Sequence, residues 1–163
     1  MQVFVLDRNP GKAAQYHCDV HCSKMILETA QILCSALHLN GRKDTPYKPT
    51  HPHHPCVRWA AASVENYVWL LDLGFALSEE FVLRRGKSHA SSAVISWASN
   101  VACRAPRVAF TGFAQAMPLL YRSADPVRSY RDYYVAEKRE FVTYAPPRDY
   151  PSWYVSRLKK YQR

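Results

Sequence analysis

The stretch HCDVHCSKMILETAQILCSAL, residues 17–37, predicts the central helix of the fold. At about 100° per residue, one narrow stripe of this helix is polar and the opposite side is apolar. The polar stripe consists of His17, His21, Lys24, Glu28, Gln31 and Ser35. Because the apolar side is wider than in an ordinary surface helix, most of the helix is predicted to be buried. The stripe then lines a polar cleft, or else forms a solvated edge with an incidental Lys24–Glu28 pair.

The rest of the chain predicts further helices around this one. Residues 3–6 are an apolar run that forms either a short strand or a buried extended arm. Helix starts are predicted at three places: Asn9-Pro10, Ser63 and Asp125-Pro126. The segment 56–85 is predicted to be helical with a break near Ser63, and a last helix is predicted from 126 to about 141. We therefore expect a mainly α fold, a single compact helical domain over residues 1–163 with at most a short N-terminal strand.

Charge indicates the class of partner. The chain has a formal net charge of +9 and a pI of about 9.5. This excess favours a nucleic acid, with DNA first and an anionic nucleotide second. No run of about 20 apolar residues predicts a membrane span, and no signal-peptide pattern follows the first residues. We expect no membrane association and a cytoplasmic location, which is the host cytoplasm if a phage encodes the chain. The oligomeric state stays open.

Candidate binding residues occur in a proline-rich loop and in the last predicted helix. The loop 38–55 is rich in side chains that bind substrates, and long loops are often functional. The helix 126–141 interleaves cations with tyrosines, which suit phosphates and bases respectively, although tyrosines at this spacing also build cores. The candidate DNA- or substrate-binding residues are Tyr16, Tyr47, Lys48, Thr50, His54, Arg58, Trp59, Asn66, Arg128, Arg131, Tyr134 and Lys138.

The two histidines of the central stretch are candidate metal ligands. His17 and His21 have the i,i+4 spacing that two ligands on one helix need. Cys18 and Cys22 have the same spacing but lie about 100° around the helix, so they belong to a different face. His51 or His54 is the available third ligand, and neither is fixed by a motif. We predict neither a metal nor a cofactor. Five cysteines, three of them on helix faces, do not predict a disulfide framework.

Several motifs in this order resemble a family of small phage and bacterial proteins. The motifs are YHCDVHCSKMILETAQILCSAL (16–37), YKPTHPHHP (47–55), WAAASVENYVWLL (59–71), EEFVLRRGKSH (79–89), QAMP (115–118) and SYRDYYVAEKREF (129–141). This family is grouped loosely with pyrimidine-dimer DNA glycosylases of the phage endonuclease V type. The resemblance spans most of the chain.

The resemblance implies a compact helical enzyme that flips a base from the duplex. In that type an N-terminal amine, exposed by removal of methionine, attacks C1′ of the sugar, and a carboxylate steadies the intermediate. In that type, a helix motif combines a tyrosine with cations and a carboxylate. By this resemblance Tyr16 matches the tyrosine, His17 and His21 stand at the positions of the cations, and the carboxylate is Asp19 or Glu28. Gln2 is a poor second residue for methionine removal, so Met1 is expected to stay.

Three hypotheses of function follow. The first is a base-excision glycosylase/lyase that acts on a flipped or modified base in DNA repair. The second is a nucleotide- or base-modifying enzyme that uses the histidines for acid–base work. The third is a DNA-binding module without activity, in which the stripe is structural. The candidate catalytic residues are His17, Asp19, His21, Lys24, Glu28 and His51.

Overall fold

Capping residues in the sequence determine where most helices begin in the computed structural model, which describes residues 1–161. In that range the fold is mainly α, as predicted. The α-helices are α1 (Pro10–Tyr16), α2 (Asp19–Leu39), α3 (Pro55–Ala62), α4 (Val64–Arg85), α5 (Ser92–Ser99), α6 (Pro126–Lys138) and α7 (Ser152–Leu158). Short 3-10 turns occupy Leu119–Tyr121 and Lys159–Tyr161.

The three predicted helix starts are confirmed by side-chain caps. The Asn9 side chain accepts a hydrogen bond from the backbone amide of Lys12 at 3.0 Å, before α1. Ser63 Oγ accepts from Glu65 N at 3.1 Å, so the predicted break between α3 and α4 is also confirmed. Asp125 caps α6 in the same way. Each cap satisfies an amide that has no partner inside its helix.

Helix α2 is the centre of the fold and packs against α3, α4 and α5. Its approach to α4 is close at Gly74, where a Cβ would lie 3.0 Å from Thr29 Cγ2 and 3.1 Å from Ile95 side-chain atoms. Glycine at this position therefore lets three helices meet. One continuous apolar core extends from the N-terminal arm to α7.

The prediction of a single helix from His17 is wrong at its N-terminal end. His17 and Cys18 have extended backbones, with ψ of 131° and 166°, and α2 begins at Asp19. The amide of Asp19 donates to the Thr143 carbonyl at 2.9 Å, so a distant segment supplies the partner that a preceding helical turn would have supplied. His17 therefore leaves the polar stripe, and the i,i+4 pair on one helix does not exist.

The apolar run at residues 3–6 is a buried extended arm, since the described residues contain no strand. Its side chains are at most 3% exposed. The arm lies against α2 and α6, where Phe4 stacks on the ring of His21 with centroids 4.6 Å apart. Arg131 Nε donates to the Leu6 carbonyl at 2.8 Å, which satisfies one arm carbonyl that lacks a sheet partner.

No helix between residues 1 and 161 combines the length and apolar composition needed to cross a membrane.

Candidate active site

The N-terminal backbone and one carboxylate of α2 meet at the end of the buried arm. The α-amine of Met1 lies 3.8 Å from Glu28 Oε2. The next amide, Gln2 N, donates to the same oxygen at 2.6 Å. Both contacts join segments more than 25 residues apart, and Glu28 is buried. The carboxylate therefore receives a cation and an amide donor that together stabilise its charge.

Gln2 fixes the position of this N-terminus. Its Nε2 donates to the Ala116 carbonyl at 2.8 Å, and its Oε1 accepts from Tyr130 at 3.3 Å. The Met1 side chain packs on the core and is only 3% exposed. A chain end of this kind is ordinarily mobile unless tied down. Here three different elements hold it.

A cleft of about 310 Å³ opens beside this contact. Its lining residues are Met1, Gln2, Phe4, His21, Lys24, Met25, Glu28, Ala116, Tyr133 and Lys138. Glu28 is the acid of this set, whereas the Met1 amine and two lysines supply positive charge. The Lys138 ammonium lies 5.2 Å from the centre of the Tyr133 ring. The cleft thus offers an amine, a carboxylate, an aromatic face and cations within one small volume.

Lys24 is the second amine beside Glu28. Its Nζ lies 3.8 Å from Glu28 Oε1, four residues away on the same helix. The Lys24 side chain is 62% exposed, so water screens this pair. Glu28 therefore lies between two amines, one at the anchored N-terminus and one exposed to solvent.

The two histidines of the central stretch are buried and do not gather around the carboxylate. Burial lowers the pKa of His17 to about 4, and its Nδ1 donates to the Ala13 carbonyl at 2.7 Å. Its Nε2 has no hydrogen-bond partner among the described residues. Burial lowers the pKa of His21 to about 3, with further lowering by the charges of His17, Lys138 and Lys24. Both imidazoles are neutral at pH 7.

His21 still borders the cleft and is held by Tyr134. Its Nδ1 lies 2.7 Å from the Tyr134 hydroxyl, which also accepts the amide of Cys18 at 3.0 Å. Because that hydroxyl has a proton to donate, we assign Nδ1 as the acceptor and the ring proton to Nε2. Tyr134 itself is fully buried and supports His21 instead of presenting its ring to a ligand.

Asp19 lies in a buried ion network away from the cleft. Its carboxylate pairs with Arg84 at 3.2 Å and accepts from the Thr143 hydroxyl. Arg84 also pairs with Glu80 at 3.0 Å and donates to the carbonyls of residues 15 and 17. Arg148 makes a two-point contact with Glu80 from the loop after α6. Asp19 and Glu28 therefore occupy separate environments, and only Glu28 faces an amine.

The histidine-rich loop lies at the N-terminal side of the site. His54 caps α3 by accepting the amide of Cys56 at 3.2 Å. Burial lowers the pKa of His54, and the charge of the N-terminal amine lowers it further, so the two groups are in electrostatic range. His51 is exposed, with a positive φ of 49° and its Nδ1 2.6 Å from Thr50 Oγ1. Neither ring lines the cleft.

Three further candidates of this loop have different surroundings. The Tyr47 hydroxyl is bonded to Ser91 Oγ at 3.0 Å, and Lys48 is exposed. The Thr50 amide donates to Ser35 Oγ at 3.0 Å, which ties the loop to α2.

The candidate binding residues on α3 and α4 mostly brace the irregular segment 104–118. Asn66 is fully buried, donates to the Trp59 carbonyl and to Thr111 Oγ1, and accepts the amide of Thr111. Trp59 is buried and donates its ring N–H to the Gly112 carbonyl. Arg58 is exposed. Asn66 thus satisfies buried polar groups of the fold.

The α6 candidates divide into structural and accessible side chains. Arg131 pairs with Asp7 at 3.2 Å and lies 5.0 Å from the Trp153 ring, so it joins the arm to α7. Tyr16 packs against the same tryptophan. Arg128 is 70% exposed and Lys138 lines the cleft, so these two cations are accessible to phosphates.

Sequence reasoning missed Gln2, Phe4, Ala116 and Tyr133 as site residues. The apolar run 3–6 was the available signal, because a fully buried arm must place the residues just before it against the core. No sequence pattern specified that Glu28 lies where the residues before the arm meet the core. Across residues 1–161, no three His, Cys, Asp or Glu side chains are close enough together to hold a metal ion.

A larger cavity of about 460 Å³ lies on the outer face of α4. Its apolar wall is formed by Phe75, Val82 and Leu83, and Glu79 is its ionisable group. It lacks the pairing of amine and carboxylate found in the cleft.

Comparison with known proteins gives no relative: no family model matches the chain, and neither do the curated proteins or the solved structures.

Proposed function

We propose that this protein is a DNA-acting enzyme of the base-excision glycosylase/lyase kind. In this proposal the α-amine of Met1 attacks C1′ of a deoxyribose, and Glu28 assists and stabilises the intermediate. One observation carries it: an anchored amine lies 3.8 Å from a buried carboxylate in a cationic cleft. The motif resemblance to pyrimidine-dimer glycosylases supports the same chemistry.

The chemistry needs an amine and a carboxylate side by side. The unprotonated amine donates its lone pair to C1′, and the bond from C1′ to the base breaks, so that the base leaves with the bonding pair and takes up a proton. At an abasic site the aldehyde oxygen leaves as water instead. After loss of the base, the C1′–O4′ bond breaks, and O4′ leaves C1′ with the bonding pair and takes up a proton. Both routes then yield a positively charged imine at C1′. Glu28 takes the proton that the attacking nitrogen loses and passes it to the departing oxygen, so its carboxylate is charged again and stabilises the imine.

Strand cleavage follows from the same intermediate. Loss of a proton from C2′ sends its electron pair toward the imine system, and the 3′ phosphate leaves with the electrons of its C–O bond. Glu28 is the carboxylate next to the reacting amine and is therefore the base for this step.

The Met1 amine is better placed for attack than Lys24, because its segment of the chain is held in position. The Met1 side chain is 3% exposed and Lys24 is 62% exposed, so attack by Lys24 requires more ordering.

Charge and aromatic rings support DNA as the substrate. The net charge of +9 attracts polyanions, and Lys24 and Lys138 place cations at the cleft. Tyr133 supplies a ring on which a base can stack. The neutral, separated histidines offer no equivalent support for acid–base work on a nucleotide.

Borohydride trapping on DNA with an abasic site tests the proposal. Borohydride reduces the imine to a stable amine, so wild-type protein should form a covalent adduct whose peptide maps to Met1. Lys24→Ala should keep the adduct, and Glu28→Gln should reduce it strongly. A variant with a short peptide fused ahead of Met1 should lose it, because the α-amine becomes an amide.

Other outcomes of this experiment contradict specific parts of the proposal. An adduct that maps to Lys24 and survives the N-terminal fusion would reassign the nucleophile. DNA binding without any adduct, on abasic or damaged duplexes, would contradict the enzyme and leave a binding module.

A further inference from the structure

Two adjacent leucines on the surface have no packing role that explains them. Leu119 and Leu120 are 78% and 77% exposed, the highest values among the exposed large hydrophobic side chains of the described chain. The next most exposed is Leu83 at 51%. Single exposed apolar residues are common, but two fully projecting neighbours indicate a surface that meets another molecule.

The turn that carries this pair is held in place. Its 3-10 geometry is closed by hydrogen bonds from Tyr121 N to the Pro118 carbonyl and from Arg122 N to the Leu119 carbonyl, both at 3.0 Å. The Arg122 side chain donates back to the Met117 carbonyl at 2.9 Å. A rigid apolar projection needs little ordering when it inserts into a partner.

The turn lies beside the Met1–Glu28 cleft. Leu119 follows Ala116, which lines the cleft, by three residues, a distance of at most about 11 Å. The Tyr121 ring packs on the Tyr133 ring, which also lines the cleft, with centroids 5.3 Å apart. The exposed leucines therefore lie on the segment that forms one wall of the cleft, and Leu120 borders a neighbouring cavity with Asp132 and Arg157.

We infer that Leu119 and Leu120 are a wedge that enters the DNA base stack when a nucleotide is turned out toward the cleft. This inference rests on the proposed function. A sugar C1′ inside a stacked duplex cannot reach an amine that lies in a cleft of the protein, so the nucleotide must leave the stack. Apolar side chains inserted at a base step replace part of the lost stacking and hold the duplex kinked.

Charge around the turn selects nucleic acid as the occupant. Arg122 is exposed two residues after Leu120, and Arg128 and Lys138 lie on the neighbouring helix α6. Two acids close by are engaged: Glu137 accepts from the Tyr121 hydroxyl, and Asp132 pairs with Arg157 at 2.7 Å and with Arg128 at 3.6 Å. An apolar tip with exposed cations around it fits bases surrounded by phosphates.

A fluorescence experiment tests the wedge without any covalent chemistry. The probe is a duplex with 2-aminopurine next to a tetrahydrofuran abasic analogue, which cannot form an imine. Wild-type protein should raise the fluorescence on binding, because the neighbouring base loses stacking. The double variant L119A/L120A should bind with much less increase. The matched control L39A/L83A, which removes two exposed leucines outside the cleft, should behave like wild type.

Trapping on two substrates separates the wedge from the catalytic proposal. On a single-stranded abasic oligonucleotide, L119A/L120A should form adduct at the wild-type rate, since no stack needs opening. On the duplex its rate should fall by about tenfold. Equal fluorescence increases for wild type and variant, or equal losses on both substrates, would overturn the wedge while leaving the enzyme.

Two further outcomes complete the test. If wild type forms no adduct but its leucines still control the fluorescence, the wedge stands and the catalytic proposal fails. If wild type causes no fluorescence increase and the leucines instead control sedimentation with phospholipid vesicles, the pair is a membrane contact and the wedge is overturned.

Discussion

Mild acid should destabilise the protein through His21. In the folded state the pKa of His21 is about 3, mainly because of burial, whereas an unfolded imidazole titrates near 6.5. As the pH falls from 7 to 5, the unfolded chain takes up a proton at this residue and the folded chain does not. Stability is therefore complete above pH 6.5 and declines as the pH falls toward the folded pKa.

The expected loss follows from the size of this interval. Each pH unit below 6.5 costs about 1.36 kcal/mol per imidazole, so His21 should contribute a loss of about 2 kcal/mol by pH 5. His17, with a pKa of about 4, should contribute a similar amount. Such losses are large against a typical total stability of about 5–15 kcal/mol. Most carboxylates remain charged at pH 5, and hydrogen bonds from Arg148 and Arg84 hold the pKa of Glu80 low despite its burial.

Urea unfolding at pH 7 and pH 5 provides the measurement. His21→Gln keeps an amide near Tyr134 but removes the titration, so its free energy of unfolding should fall by about 2 kcal/mol less than that of wild type over this range. His53→Gln, which changes an exposed imidazole in the loop, should follow the wild-type curve. Overlapping curves for His21→Gln and wild type, or an NMR titration of His21 near 6.5, would refute the reasoning. The second result would also revive acid–base work by the histidines.

Three other predictions concern binding and packing. Duplex DNA should bind less tightly as salt rises, and Lys138→Ala should lower both the affinity and the slope of log affinity against log salt, whereas salt-independent binding would contradict a phosphate contact. Arg84→Ala should cost about 3–5 kcal/mol in urea unfolding, because it leaves the buried Asp19 carboxylate without its cation and Glu80 with Arg148 alone. Its exposed neighbour Arg85→Ala should change stability little, and equal effects would contradict the network. Gly74→Ala should lower the free energy of unfolding by about 1–3 kcal/mol, because the added methyl group overpacks the space between α2 and α5. An unchanged free energy of unfolding would show that the Ile95 side chain moves to make room.

The helices were predictable because their signals are local. A capping side chain and the amide that it satisfies lie within three residues of each other, so the starts after Asn9, Ser63 and Asp125 are visible in the sequence. The end of α4 at Gly86, in a left-handed conformation, is equally local. These signals need no knowledge of the packing.

The error at His17 shows where local signals stop. No residue between 16 and 19 is a helix breaker, so the helical periodicity predicted that α2 begins at His17, two residues before its actual start. The break arises because the Thr143 carbonyl accepts the Asp19 amide and because Tyr134 accepts the Cys18 amide. Both partners lie more than 110 residues away. The same limit applies to Asp19 itself, which is an acid of the predicted motif but meets Arg84 in a buried network.

The pairing of Met1 with Glu28 depends on the path of the arm, and that path also bears on N-terminal processing. Because residues 3–6 are buried, the position of Gln2 N is fixed at 2.6 Å from Glu28 Oε2. If Met1 were removed, the new amine would lie at this distance, where the carboxylate would favour its protonated form and suppress attack. With Met1 in place, the Gln2 amide occupies that position and the amine stands 3.8 Å from the carboxylate. At that distance Glu28 is still near enough to stabilise an imine. Retention of Met1, expected from the bulk of Gln2, thus favours the proposed nucleophile.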